Sequence, residues 1–195
     1  MGARSWSAAC AALAISCAAH AQYGQWTFDD GTGAVPHQII IAQNGDLISC
    51  GDTTVRRQLH LTMVTAWATE VPGFTPLDVI EHSNGEIAAA GAYVNGSMNE
   101  IMLVVYDANG AVRWTHSYPG TSWSYEKAIG LVETQSGGFM IACAGVSPSS
   151  PSSSYGIPCA IMADSTGAEL WINVYKDAAS VDEYGFFRHV IKGED

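Results

Sequence analysis

The chain has 195 residues, and its 19 acidic and 8 basic residues give a formal net charge of −11. The basic residues are scattered, with only Arg56 and Arg57 adjacent, so the sequence lacks the clustered basic surface that nucleic-acid binding needs. No apolar run reaches the roughly 20 residues that span a bilayer. Composition and charge therefore exclude a nucleic-acid partner, and no transmembrane segment is predicted.

The N-terminus has the pattern of a secretory signal peptide. Arg4 precedes an apolar run at residues 6–19, and an Ala-His-Ala cleavage site follows at residues 19–21. The run is too short for a membrane-spanning helix. Residues 1–21 are therefore predicted to be removed on export, which leaves residues 22–195 in the medium, at the cell surface or in the periplasm. A lipid anchor on a cysteine of this segment is the minor alternative.

The mature chain repeats a short glycine turn that is followed, after a loop, by a tryptophan. The turns lie at residues 44–46, 84–86 and 136–138, and the tryptophans are Trp67, Trp114 and Trp171. Periods of roughly 40–50 residues built from short strands are typical of β-propeller blades. Trp26 precedes the first turn and indicates a single outer strand.

The second repeat shows the strands of a blade most clearly. Asn84-Gly85 predicts a two-residue hairpin turn between short strands. The continuous apolar run at residues 101–106 predicts a strand buried on both faces. A turn at residues 107–110 then leads to a fourth strand around Trp114. Four antiparallel strands in about 45 residues make one propeller blade.

Together the repeats predict an all-β fold, namely an incomplete β-propeller of about three four-stranded antiparallel blades plus single flanking strands. The expected blades cover about residues 36–72, 76–119 and 123–177, and an unfinished blade begins at residue 184. The first blade is the least regular, because no Asp-x-x-Gly turn precedes Trp67. Since closed propellers have about four to eight blades, the chain is expected to be the N-terminal part of a longer protein.

The pattern Gly-Gly-aromatic, followed by Asp-x-x-Gly-x-x-x-Trp-x-x-x-Tyr, resembles the repeats of bacterial secreted β-propeller proteins. The residues that carry the match are Gly137, Gly138, Phe139, Asp164, Gly167, Trp171 and Tyr175 in the third repeat, and Asp107, Gly110, Trp114 and Tyr118 in the second. The resemblance covers about residues 36–195. It implies a secreted or cell-surface scaffold of bacterial origin, and a shared fold does not transfer an activity.

Residues 163–171 also resemble, more distantly, the tryptophan-docking repeat of quinoprotein dehydrogenases. In that family an extra residue separates the Asp from the Gly, whereas both copies in this chain are one residue shorter. The comparison therefore favours the non-enzymatic family. A propeller enzyme, quinoprotein-like or glycan-active, with its site in missing blades remains the alternative hypothesis.

The titratable residues form no recognisable catalytic or metal-binding motif. Asp107 and Asp164 each begin a turn that closes on Gly without the further acids of a calcium loop, so each is expected to bond its own backbone. The histidines lack the spacing of metal pairs, and His82 and His116 are expected to be solvated. No Gly-x-Ser-x-Gly elbow anchors a nucleophile. We therefore predict no catalytic residue, metal or cofactor, and favour a non-enzymatic scaffold or interaction module.

The aromatic residues divide into periodic and non-periodic ones. Tryptophans that recur once per repeat are expected to pack neighbouring blades together. Trp123 falls outside the period, beside Tyr125 in a loop between two blades, and these two are the candidate ligand-contact residues. The expected partner is a protein or a glycan that the sequence does not identify. Self-association through exposed blade faces is also expected.

Three cysteines stay in the mature chain, Cys50, Cys143 and Cys159. Cys143 ends the predicted second strand of the third blade and Cys159 opens the third strand, so the two can sit opposite each other. Cross-strand neighbours have Cβ atoms about 4.5–5.5 Å apart, close to what a disulfide requires, and export permits the bond. We predict a structural disulfide between Cys143 and Cys159. The alternative is two small buried hydrophobic residues, which is the interpretation for Cys50.

Overall fold

The computed structural model describes residues 36–96, 98–119, 125–146 and 157–175. The chain divides into two units, Met1–Ala34 and Val35–Asp195, and every described residue belongs to the second. The predicted signal peptide, the single strand around Trp26 and the unfinished blade from residue 184 lie outside the described residues.

The strands of the described residues form three four-stranded antiparallel units, which we call blades 1, 2 and 3, and blades 2 and 3 belong to one eight-stranded sheet. Blade 1 contains β1 (Gln38–Ile41), β2 (Leu47–Gly51), β3 (Thr54–Gln58) and β4 (Thr65–Glu70). Blade 2 contains β5 (Phe74–Glu81), β6 (Ile87–Asn95), β7 (Met98–Tyr106) and β8 (Val112–Tyr118). Blade 3 contains β9 (Tyr125–Glu133), β10 (Phe139–Val146), β11 (Ile157–Ala163) and β12 (Glu169–Val174).

In each blade, every strand pairs with the next one along the chain. Blades 2 and 3 are joined by a single parallel pairing of Asn99 with Tyr125. The part of the chain that the structure describes contains no helix, and so none that could cross a membrane. The predicted all-β class with blades of an incomplete propeller is therefore confirmed.

The turn between the first and second strands, turn 1, covers residues 42–46, 82–86 and 134–138 in the three blades. In blade 2, the Asn84 side chain accepts the Glu86 N–H at 2.9 Å, and Gly85 donates its N–H to the His82 carbonyl. Gly85 has a φ of 85°, a region that is open to glycine and costly for other residues. The hairpin predicted from Asn84-Gly85 is thus present, and the same closing bond recurs at Gly45 and Gly137.

The turn between the third and fourth strands, turn 3, covers residues 59–64, 107–111 and 164–168. In blades 2 and 3 its first residue is an aspartate, and Asp107 accepts the N–H groups of Asn109 and Ala111 at 2.8 and 3.0 Å. Asp164 makes the corresponding two bonds. The expectation that these aspartates bond their own backbone is confirmed. In blade 1 the turn is one residue longer, and Met63, with a φ of 57°, takes the position of the glycine.

Two apolar cores lie between the blades. The core between blades 1 and 2 and the core between blades 2 and 3 share strand β7, which places alternate residues in each. Ile101, Leu103 and Val105 face blade 3, while Val104 and Tyr106 face blade 1. Because both faces of β7 are covered, its sequence is a continuous apolar run rather than an alternating one.

Candidate functional site

Two of the repeated tryptophans, Trp67 and Trp114, lie where one blade meets the next. The Trp67 ring of blade 1 covers Gly110 in turn 3 of blade 2, so that a Cβ at Gly110 would lie 2.5 Å from Trp67 Cδ2. The Trp114 ring of blade 2 covers Gly167 in blade 3, where a Cβ would lie 2.6 Å from Trp114 Cζ3. Trp67 Nε1 also donates to the Ala108 carbonyl at 3.1 Å. Trp67 and Trp114 therefore pack neighbouring blades together, as expected, and only glycine fits beneath these two rings.

A hydroxyl group of the preceding blade hydrogen-bonds the carbonyl of the same glycine. Thr69 donates to Gly110 O at 2.6 Å, and Tyr118 donates to Gly167 O at 2.9 Å. Burial, reinforced by nearby carboxylates, raises the pKa of the Tyr118 hydroxyl, so this group remains a protonated donor at neutral pH. Each interface thus combines a ring packed on a glycine with a hydrogen bond to that glycine.

A glutamate at the end of a first strand reaches back to turn 1 of the preceding blade. Glu81 of blade 2 accepts the backbone N–H of Gln43 in blade 1. Glu133 of blade 3 accepts the backbone N–H of Ser83 in blade 2 at 3.0 Å, together with the Ser83 hydroxyl. Gln43 and Ser83 occupy the same position of turn 1, so this contact repeats from one interface to the next.

His82 lies at the junction of blades 2 and 3, and the expectation that it is solvated is wrong, because its exposed fraction is 8%. Its Nε2 lies 2.9 Å from Gly137 O and 3.3 Å from Glu133 Oε1, while its Nδ1 accepts the Asn84 N–H at 3.4 Å. These partners assign the proton to Nε2. The ring also packs against Phe139 at a centroid distance of 5.4 Å. Two polar turns therefore meet through one buried imidazole.

His82, Ser83 and Glu133 are residue types found in hydrolase active sites, but their hydrogen bonds are not arranged as in such a site. The Ser83 hydroxyl donates to Glu133, and His82 Nε2 faces the Gly137 carbonyl and Glu133. In a Ser-His-acid triad the serine hydroxyl instead donates to the histidine ring, and the acid orients that ring. In the observed arrangement, the three side chains connect two blades.

His116, also expected to be solvated, is half-buried on β8 with its ring 4.9 Å from that of Tyr118. It therefore lies against the side chain that donates to Gly167 across the interface. Among the described residues, no group of three or more His, Cys, Asp or Glu is placed to hold a metal ion.

Asp46 holds a buried ion pair inside blade 1. Its carboxylate accepts from Arg57 Nε at 2.9 Å, from Asn44 Nδ2 at 2.8 Å and from the backbone N–H of His60 at 3.1 Å. The His60 ring nitrogen Nδ1 is also 3.1 Å away. Burial by itself raises the pKa of Asp46, but these hydrogen bonds outweigh burial and hold the pKa far below its usual range. The carboxylate is therefore ionised, and it ties turn 1 to β3 and turn 3.

The candidate ligand-contact residues are placed only in part. Trp123 lies outside the described residues, and Tyr125 is the first residue of β9, where its backbone pairs with Val146 and Asn99. Their role in ligand binding stays a prediction.

The two cysteines of blade 3 are opposite each other, because Cys143 of β10 and Cys159 of β11 are register partners. Both side chains are buried in the core between blades 2 and 3, and no disulfide joins them in the structure. The predicted opposition of the two cysteines is thus present, and the disulfide stays a prediction. Cys50 is also buried, and burial raises the pKa of its thiol to about 12, as expected for an unreactive core cysteine.

No family model matches the chain, and no curated protein matches it. A crystal structure of a protein of unknown function from Bacteroides caccae is similar to it, with 9% sequence identity and a TM-score of 0.43. That match covers 78% of this chain, which spans 65% of the other chain. Similarity at this level carries no argument about function.

Sequence reasoning missed the polar contacts that join the blades. His82 and Glu133 are 51 residues apart in the numbering, and only the stacking of blades brings them together. One signal was present, since Glu81 and Glu133 occupy the same place, directly before turn 1, in two successive repeats. A charged residue that recurs once per repeat indicates a contact that also recurs.

Proposed function

We propose that this chain is a secreted or cell-surface, non-enzymatic scaffold, in which stacked blades present loops to a protein or glycan partner. The proposal is best supported by the contacts of the polar side chains, which bind other parts of the protein. The buried and half-buried polar groups are each engaged by two or more structural hydrogen bonds or ion pairs, Asp46 inside blade 1 and His82 and Glu133 at the junction of blades 2 and 3. Groups with these partners hold turns in place rather than offering a reactive atom to a substrate.

The proposal is tested by measuring whether the chain binds a polysaccharide without shortening or oxidising it. The full chain is titrated calorimetrically with a panel of extracellular polysaccharides, and each polysaccharide is analysed afterwards by size-exclusion chromatography. We expect at least one saturable binding isotherm and unchanged polysaccharide length. Shortened or oxidised polysaccharide would contradict the scaffold function and support the enzyme alternative.

The candidate ligand-contact residues provide matched variants for the same titration. Aromatic rings stack on sugar faces, so Trp123→Ala is expected to weaken glycan binding by at least tenfold, while Trp123→Phe retains most of the affinity. Equal affinity of both variants and the unmodified chain would remove Trp123 from the proposed site.

Export is tested separately from binding. The full gene is expressed in a bacterial host, and the N-terminus of the extracytoplasmic protein is determined by mass spectrometry. We expect the mature chain to begin at Gln22, because residues 19–21 form the cleavage site. An intact N-terminus on a protein retained in the cytoplasm would contradict this part of the proposal.

A further inference from the structure

We propose that Asn95-Gly96, at the tip of the hairpin between β6 and β7, is a modification site at which Asn95 converts spontaneously to aspartate and isoaspartate. Water is the co-reactant, and no enzyme takes part. The inference goes beyond the scaffold function and does not depend on it. It selects one of the four Asn-Gly sequences of the chain, which begin at Asn44, Asn84, Asn95 and Asn109.

The reaction is an intramolecular substitution at the side-chain amide. The backbone nitrogen of Gly96 loses its proton to solvent and attacks Asn95 Cγ, where a new C–N bond forms. The bond from Cγ to Nδ2 breaks, and the amide nitrogen takes a proton from solvent and leaves as ammonia. One water then opens the succinimide ring, which gives aspartate or isoaspartate according to which of the two bonds to the Gly96 nitrogen breaks. Glycine favours the attack because it has no Cβ to hinder the approach.

Two of the other asparagines are held by the hydrogen bonds of turn 1. Asn84 Oδ1 accepts the Glu86 N–H at 2.9 Å, and Asn84 Nδ2 donates to Glu86 Oε2 at 2.9 Å. The attacking group is also engaged, because the Gly85 N–H donates to the His82 carbonyl at 2.8 Å. Asn44 makes the same three kinds of bond. Ring closure at either site therefore requires that several hydrogen bonds break first.

Asn109 is protected by the packing of the glycine that follows it. The Gly110 N–H donates to the Asp107 carbonyl at 3.0 Å. Gly110 is buried beneath the Trp67 ring, where a Cβ would lie 2.5 Å from that ring. The Gly110 nitrogen must therefore break its hydrogen bond and move against a packed interface before it reaches the Asn109 side chain.

Asn95-Gly96 lacks this protection. Both residues are exposed, and a Cβ built at Gly96 would meet no atom within 4 Å. Among the described residues, the Gly96 N–H has no backbone acceptor, unlike the N–H groups of the other three glycines. The Asn95 side chain makes one hydrogen bond within the same part of the chain, from Nδ2 to Glu100 Oε1 at 2.8 Å. The nucleophile is therefore unengaged here, and solvent reaches both reacting groups.

Conversion of Asn95 changes the charge at the end of the hairpin. Tyr93 pairs with Glu100 and Asn95 pairs with Met98, so residues 95 and 100 are diagonal neighbours on one face of the two strands. The new carboxylate replaces the hydrogen bond to Glu100 with a contact between like charges, which is destabilising. In the isoaspartate product, the backbone also gains a methylene group, which disturbs the register of the last pair.

Peptide mapping of the full chain by mass spectrometry tests the site. The folded protein is incubated at mildly alkaline pH, and amide loss is followed at all four Asn-Gly sequences in the same digests. We expect Asn95 to convert about tenfold faster, or more, than each of the other three, because their glycine N–H groups must first break a hydrogen bond. Fragmentation that distinguishes isoaspartate from aspartate should show both products at residue 95.

The same incubation in concentrated urea is the matched control. The four rates should then agree within about threefold, because unfolding removes the hydrogen bonds that protect three of the sites. Gly96→Ala should slow conversion of Asn95 and leave the other three rates unchanged, since the added Cβ hinders the attack without a collision in the fold. Similar rates at all four sites of the folded protein, faster conversion at another site, or an undiminished preference for Asn95 in urea would overturn the proposal.

Discussion

At the scale of single residues, the glycines beneath the tryptophans show how one missing Cβ fixes the approach of two blades. A Cβ at Gly110 would lie 2.5 Å from the Trp67 ring, and the φ of Gly110 is 83°. Gly85 has nearly the same φ, 85°, but a Cβ placed there would meet no atom within 4 Å. The two positions therefore separate the cost of backbone conformation from the cost of a steric collision.

The first prediction compares these two glycines. Gly85→Ala is expected to lower the free energy of unfolding by about 1 kcal/mol, the cost of a left-handed backbone for a residue with a Cβ. Gly110→Ala carries the same cost plus overpacking against Trp67, for a total of about 3 kcal/mol. Urea unfolding of both variants measures the difference. Equal losses of unfolding free energy in the two variants would mean that the Trp67 ring moves aside for the new methyl group at no cost.

The ion pair of Asp46 and Arg57 gives a second residue-scale prediction. Removing one member of a buried pair leaves an uncompensated charge, so Asp46→Asn should cost about 3 kcal/mol. Glu86 is the control, since it occupies the same turn position in blade 2, with an exposed partner, Arg113, at 3.4 Å. Glu86→Gln should cost less than about 1 kcal/mol. A loss of stability in Glu86→Gln as large as in Asp46→Asn would contradict the inference that burial of the Asp46 charge causes the larger cost.

The pH dependence follows from the same carboxylate. The folded-state pKa of Asp46 is lowered, so its contribution to stability is complete above the unfolded value of about 3.9 and declines as the pH falls below it. We expect the free energy of unfolding to fall steeply below about pH 4 and to fall less steeply in Asp46→Asn. Chemical denaturation between neutral and acidic pH measures both slopes. Parallel slopes would show that other groups control the acid response.

At the scale of elements, the sequence correctly predicted the turns and the buried apolar strand. It did not predict the contacts between blades. Asn84-Gly85 and Asp107 determine their turns through bonds to neighbouring backbone, and the apolar run of β7 reflects burial on both faces. The placement of His82 depended on a partner blade about 50 residues away. A sequence pattern reports local hydrogen bonding and periodicity, but it does not report which turn a stacked blade brings to a given side chain.

The opposition of Cys143 and Cys159 leads to the prediction at this scale. A disulfide between β10 and β11 would close a loop of about 15 residues and add about 3 kcal/mol to stability. In protein recovered from the export compartment, we expect a cross-linked peptide and a lower unfolding midpoint after reduction. Cys50→Ala should keep this response to reductant, whereas Cys143→Ala should lose it. Three alkylatable thiols in the unreduced, unfolded mature protein would contradict the bond.

At the scale of the described blades, successive blades stack in chain order and in one direction. Blades 1 and 2 each present a Trp and a hydroxyl to the next blade and receive a glutamate contact from it, so neighbouring blades are coupled in pairs. The outer blades share no such contact with each other among the described residues. A perturbation at one interface should therefore affect the two blades that form it and leave the third blade nearly unchanged.

Hydrogen exchange followed by mass spectrometry on the full chain tests this coupling most directly, with Trp67→Ala and Trp114→Ala compared with the unmodified protein. We predict that Trp67→Ala accelerates amide exchange in β4 and in residues 107–111 while β11 and β12 keep their protection. Trp114→Ala should accelerate exchange in β8 and residues 164–168 and leave β2 and β3 protected. Uniform acceleration along the chain, or acceleration confined to the strand that carries the substitution, would contradict an array held together by Trp–glycine contacts between successive blades.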